Sequence, residues 1–99
     1  MTQYEIIKND ESYNIIGEID ISNCSDFKTR LYKIVEETKE KLVLDFNGLN
    51  YIDSAGLGIL VGTYKRLKEM DRKLTIVKSS ENIKKLFYIT KLDTLIEIK

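Results

Sequence analysis

Histidine is absent from the chain. A Ser-His-Asp or Cys-His catalytic site therefore cannot be built, and zinc sites with histidine ligands are excluded. Cysteine occurs once, at Cys24. One thiol forms no internal disulfide, so the chain needs no oxidising compartment. Cys24 is either a reactive thiol or, on the apolar stripe of a helix, a small buried hydrophobe. Proline is absent as well, and no low-complexity segment or internal repeat marks a linker. Excess charge is missing: 16 basic residues balance 16 acidic ones. Without clustered positive charge there is no electrostatic footprint for nucleic acid or an anionic membrane. The longest apolar run, Leu57 to Val61, is interrupted by Gly58 and is too short to span a bilayer. The N-terminal residues Met1 to Glu5 lack the charged and apolar blocks of a signal peptide. These absences point to a freestanding cytoplasmic protein that meets another protein or a small molecule, with no direct nucleic-acid or membrane partner.

What is present suits one compact α/β domain over residues 1–99. A chain of 99 residues leaves little room for a second domain, and 42% hydrophobic content supports a real core. Tyr4 to Lys8 and Tyr13 to Ile16 read as strands joined by the turn residues Asn9-Asp10-Glu11, hence an N-terminal hairpin. Gly17-Glu18-Ile19-Asp20 leads out of it. Cys24, Phe27, Leu31, Ile34 and Val35 recur at helical spacing, and Ser22 or Ser25 is placed to cap that helix. Leu42-Val43-Leu44 reads as a strand buried on both faces, and Asn47-Gly48 as a turn. A second helix is expected over Ala55 to Glu69 and a strand over Leu74 to Val77. Ser79-Ser80 then caps a third helix carrying Ile83, Leu86 and Phe87, and Leu95 to Ile98 closes the chain as a strand. The order β-β-α-β-α-β-α-β favours parallel βα units after the hairpin, giving a mixed sheet packed with amphipathic helices. The mixed-sign run Lys65, Arg66, Lys68, Glu69, Asp71, Arg72 and Lys73 reads as a solvated helix end.

The unusual segment runs from Asp45 to Gly62. Gly56, Gly58 and Gly62 fall inside the expected second helix. Each costs about 0.8–1.0 kcal/mol relative to alanine there, so something must offset them. One offset is close packing: Gly58 and Gly62 share a helix face that a neighbour could approach. The other is access, since Ala55, Gly56 and Gly58 would leave the helix N-terminus uncovered. Ser54 stands at that N-terminus. It is either a plain N-cap or a phosphoacceptor, because unpaired N–H groups and the positive dipole end tolerate added negative charge. A phosphate adds about −1.5 to −2 of charge there and leaves the core alone. Asp20 and Asp53 both follow strand ends, which the crossover geometry could bring together. They are capping or turn carboxylates, or a Mg²⁺-binding pair. No Gly-Lys-Ser/Thr phosphate loop accompanies them, and Ser54 lacks the Gly-x-Ser-x-Gly context of a nucleophile elbow. The chain reads as no enzyme, with no catalytic residue and no metal ligand set. Tyr51, just ahead of Asp53-Ser54, is a candidate for exposure at a partner surface.

Asp53-Ser54-Ala55-Gly56-Leu57-Gly58 resembles the signature of bacterial anti-sigma factor antagonists of the STAS-domain family. Gly17-Glu18-Ile19-Asp20 resembles their second marker, and Leu86 to Leu92 a third. The similarity runs from about Tyr4 to the last strand, and the family's mixed sheet agrees with the element order. The resemblance implies partner switching. The unphosphorylated antagonist binds an anti-sigma factor that is also a serine kinase, which frees the sigma factor. The kinase, using its own Mg-ATP, phosphorylates the serine matching Ser54, and the complex separates. A metal-dependent serine phosphatase resets the cycle. Asp20, which matches the acid near the phosphoacceptor, would border the docking surface with Ile21, Ser22, Asp53, Ala55, Gly56, Leu57 and Gly58. The antagonist itself needs no cofactor. Similarity leans toward antagonists of general stress regulators rather than sporulation ones. The alternative is a non-switching STAS scaffold in a transporter or signalling assembly, with Ser54 only a cap. Asp71-Arg72-Lys73 and Lys91 depart from the glycines many relatives carry, and a further C-terminal helix is expected to be short or missing.

Overall fold

The computed structural model describes residues 3–99; Met1 and Thr2, part of the stretch read as lacking a signal peptide, lie outside it. Apolar residues set the elements where expected. Strand β1 (Tyr4–Lys8) pairs antiparallel with β2 (Tyr13–Ile19), which buries Ile15 and Ile19 completely. Helix α1 (Cys24–Glu37) turns Phe27, Leu31, Ile34 and Val35 inward, as the three-and-four spacing requires. Strand β3 (Leu42–Asp45) runs parallel to β2 and to β5 (Leu74–Val77). Between them come β4 (Leu49–Ile52) and helix α2 (Ser54–Glu69). Helix α3 (Glu81–Ile89) starts at Ser80, whose hydroxyl accepts from the Ile83 N–H at 3.3 Å. A 3-10 turn (Leu92–Thr94) and the short β6 (Glu97–Ile98), parallel to β5, end the fold. The result is a mixed sheet of six strands, with α1 and α2 packed on each other and α3 against β4.

Strand β4 is the main difference from the element order above, which gave no range for it after the Asn47-Gly48 turn although Asp53 was set at a strand end. Tyr13 and Asn14 of β2 pair with β3, and Gly17, Glu18 and Ile19 then pair with β4 along the same edge. The register shifts between Gly17 and Glu18, so β4 carries one extra residue. That bulge leaves Leu49 and Ile52 buried with two exposed residues between them, which erases the alternation a strand normally shows. It also explains why β2 outlasts Ile16. Gly17 has φ +104, and a Cβ there would strike the Gln3 carbonyl oxygen. Only glycine lets β2 pass the bulge with the chain of residues 3 and 4 so close.

Other local expectations change for identifiable reasons. Neither Ser22 nor Ser25 caps α1: its N-cap is Asn23, whose side chain serves the preceding loop instead. Cys24 is half-buried in the first turn, its Sγ 3.7 Å from the Ile21 carbonyl. Val43 is only half-buried, so β3 is sealed on one face rather than both. Leu95 is exposed and the final strand is shorter than expected. Arg72 is not merely solvated. Its guanidinium donates to the Val35 and Glu40 carbonyls at 2.9 and 2.7 Å and to the Thr38 hydroxyl at 2.6 Å. It thereby satisfies the Val35 carbonyl in the last turn of α1, which the helix ladder leaves unpaired, and the Glu40 carbonyl in the loop beyond. Asp71 and Lys91, at φ 59 and 63, hold the left-handed conformation that glycine would adopt without strain.

Two substitutions test this backbone reading by denaturant unfolding. Gly17→Ala is expected to lose about 2 kcal/mol or more, from strain and from the clash with the Gln3 carbonyl. Lys91→Gly is expected to gain up to about 1 kcal/mol by removing a Cβ from a left-handed residue. An unchanged midpoint for Gly17→Ala would contradict the bulge geometry.

Candidate functional site

The site is built by two strands that stop level with each other. Ile19 of β2 pairs with Ile52 of β4, and the Asp53 N–H donates to the Ile19 carbonyl at 3.2 Å. The next residues, Asp20 and Asp53, therefore emerge side by side at the C-terminal edge of the sheet. The expected convergence of the two carboxylate loops is thus present, delivered by β4.

Asp53 is the N-cap of α2. Its Oδ1 accepts from the Gly56 N–H at 3.0 Å and its main-chain carbonyl from the Leu57 N–H at 2.9 Å. Its other oxygen, Oδ2, accepts from the Ile21 N–H at 3.1 Å, from one loop to the other. Both oxygens thus face backbone N–H donors, an arrangement suited to a structural carboxylate. Asp20 Oδ1 accepts from the Ser22 N–H at 2.8 Å and the Ser22 hydroxyl at 2.6 Å. Among the described residues there is no group of three or more metal-ligating side chains.

Ser54 is consequently the first helical residue and not the cap. It is exposed, and its hydroxyl makes no hydrogen bond among the described residues. Ile21 stands beyond it, 78% exposed, and Tyr51 on β4 is 50% exposed. Ser22 and Gly58 are exposed, and Asp20, Asp53 and Ala55 are half-buried. Gly56 and Leu57, expected at the docking surface, are buried instead. A helical period carries those two positions inward while Ser54 and Gly58 stay outside.

The glycines divide accordingly. A Cβ on Gly56 would lie 2.6 Å from Ile52 Cγ1 and 2.9 Å from Ile19 Cγ2, so this glycine seats α2 on the strand ends and leaves nothing uncovered. A Cβ on Gly62 would collide with the Tyr32 hydroxyl of α1. Only Gly58 faces open space, with nothing within 4 Å of its would-be Cβ. The shared Gly58–Gly62 packing face is therefore not used as such. Asn23 is the residue that motif reading missed. Its Oδ1 accepts from the Asp20 N–H at 3.0 Å and its Nδ2 donates to the Glu18 carbonyl at 2.9 Å. An asparagine three residues after an aspartate in a strand-to-helix loop was the available signal.

Comparison with known proteins bears on the family and the fold. A STAS domain family model matches residues 2–99. The anti-sigma-B factor antagonist of Bacillus subtilis (strain 168) is 35% identical over 91 residues, spanning 92% of this chain and 83% of that protein. The crystal structure of an anti-sigma factor antagonist from Mycobacterium paratuberculosis superposes with a TM-score of 0.82 at 21% identity, covering 99% of this chain and 85% of that one. The Bacillus cell fate determinant SpoIIAA in its phosphorylated form superposes with a TM-score of 0.67 at 20% identity, covering 100% and 91%. At those identities the two structures establish a common fold.

The glycine assignments are testable by stability alone. Gly58→Ala is expected to stabilise by about 0.5–1 kcal/mol, because a helical glycine is replaced in open space. Gly56→Ala is expected to destabilise by about 1–3 kcal/mol through overpacking against Ile19 and Ile52. Thermal unfolding of the two variants distinguishes them, and equal effects would contradict the geometry.

Proposed function

The chain belongs to the STAS domain family, and from that premise we propose that it is an anti-sigma factor antagonist switched by phosphorylation of Ser54. In this reading the unphosphorylated protein binds an anti-sigma factor that is also a serine kinase, and the sigma factor is released. The kinase supplies Mg-ATP. The Ser54 oxygen attacks the γ-phosphorus, the bond to the β-phosphate oxygen breaks, ADP leaves, and the hydroxyl proton is lost. A serine phosphatase later hydrolyses the ester. The chain contributes a surface and an acceptor oxygen and performs no catalysis itself. The cycle takes place in the cytoplasm; no helix among the described residues is long and apolar enough to cross a membrane.

The observation that carries this reading is the placement of Ser54. Asp53 occupies the capping role, so the Ser54 hydroxyl is spared for chemistry at an exposed helix N-terminus. Added negative charge is tolerated there by the folded chain, because the helix dipole is positive at that end. It is not tolerated by a docked acidic partner group. At about 6 Å and an effective dielectric near 20, a charge of −1.5 to −2 costs about 4–5 kcal/mol before screening. That corresponds to roughly three decades in affinity. The docking surface consists of Asp20, Ile21 and Ser22 on one loop and Ser54, Ala55 and Gly58 on α2. Gly58 fits that use: an open glycine keeps the helix flank low where a partner would settle.

Incubation with the host's anti-sigma kinase and ATP is expected to add one phosphate, mapped to Ser54 by mass spectrometry. Ser54→Ala is expected to stay bound to the kinase, and Ser54→Asp to bind roughly 10²–10³-fold more weakly in titration calorimetry. Equal binding by all three forms, or a phosphate elsewhere, would overturn the assignment. Stable co-purification with a membrane assembly, without phosphate, would favour the scaffold reading.

A further inference from the structure

The loop from Asp20 to Cys24 is braced amide by amide. The Asp20 N–H is taken by Asn23 Oδ1, the Ser22 N–H by Asp20 Oδ1, and the Asn23 and Cys24 N–H groups by the Asp20 carbonyl. These four bonds stay within the loop. Of the loop's N–H groups, that of Ile21 is donated to another segment among the described residues, to Asp53 Oδ2 at 3.1 Å. The loop is thus a stiff unit joined to the start of α2 through one carboxylate. That carboxylate already caps α2 with its other oxygen. The unit carries an isoleucine 78% exposed to solvent, next to the residue that precedes Ser54.

We propose that Asp53 is a positioning residue: it holds Ile21 at a preset place beside Ser54, as an apolar anchor for the protein that docks there. This rests on the docking surface assigned above and refines it, because Asp53 then acts through Ile21 without touching the partner. The chemistry asked of that partner is an apolar socket adjacent to its phosphoryl-donor site. Ordering the anchor in advance spares the complex the entropy of fixing a loop, which is the general advantage of a preorganised contact. One carboxylate can serve both N–H donors because each oxygen accepts. An amide or a hydroxyl in its place can keep the cap but cannot also hold the bridge. Asp53→Asn has one acceptor oxygen and an NH₂ group that would oppose a second donor. Asp53→Ser caps helices about as well as aspartate, with one short arm.

The test combines amide hydrogen exchange with binding to the anti-sigma kinase. In Asp53→Ser and Asp53→Asn, exchange at Ile21 is expected to accelerate roughly tenfold or more, the loss expected for a hydrogen bond to a charged group, with Asn23 and Cys24 unchanged. Kinase affinity is expected to fall roughly tenfold in both variants and in Ile21→Ala. The Asp53→Ser, Ile21→Ala double variant is expected to be no weaker than Ile21→Ala alone, because both changes remove the same anchor. Additive losses would show that Asp53 meets the partner directly and would overturn the proposal. So would unchanged exchange at Ile21. A wild-type chain that fails to bind the kinase would instead overturn the antagonist reading, while the exchange measurement would still decide whether Asp53 holds Ile21.

Discussion

Strands β2 and β4 end in register, at Ile19 and Ile52, and the arrangement of the site follows from that pairing. Two parallel strands that finish at one level release their chains into neighbouring loops at the sheet's C-terminal edge, where open α/β sheets place binding crevices. Gly17 lets β2 pass the bulge of β4 that brings the two ends level. Gly56 lets α2 begin directly on the terminal isoleucines, with no Cβ to lift it away. Asp53 then closes the join, one oxygen on each side. A shift of one residue in the register would exchange buried and exposed positions along β4 and would separate Asp20 from Asp53.

The same arrangement keeps a stable core apart from the surface proposed to change charge. The buried side chains of Ile15, Phe27, Leu44, Leu60, Ile76 and Phe87 belong to one continuous cluster, while Ser54 lies outside it on the first turn of α2. Charge added at the N-terminus of a helix meets a favourable dipole, so modification there need not disturb packing. Residues that contribute little to folding collect at the same place. Gly58 weakens its helix without easing any contact, and Ile21 leaves an apolar side chain in water. Local choices that oppose stability at this edge are a pattern expected where a surface serves a partner.

Away from the site, two positions show what the fold requires of its turns. Asp71 and Lys91 keep positive φ although they carry side chains. The backbone path is therefore set by the packing on either side of the turn, and the residue at the turn accepts the strain. Arg72 shows a related effect. A run of charges looks solvated in one dimension, yet this guanidinium reaches three groups at the end of α1 and its loop. No spacing rule links position 72 to positions 35, 38 and 40, because the proximity comes from the chain folding back between β5 and β3.

The amino-acid sequence by itself determined the helices, five of the strands in outline and the class of fold. Those features rest on local periodicity and short motifs, in which neighbours in the chain are also neighbours in space. It left open whether Ser54 or Asp53 capped α2, which glycines were packed and which were open, and whether β4 existed at all. Each of those depended on a contact between distant residues: Asp53 with Ile21, Gly56 with Ile19, Gly62 with Tyr32, Leu49 with Gly17. Serine and aspartate have similar intrinsic capping preference, and a glycine looks the same in the chain whether or not a side chain presses on it. Only the tertiary structure, by fixing which segments touch, could assign the carboxylate to the cap and leave the hydroxyl exposed.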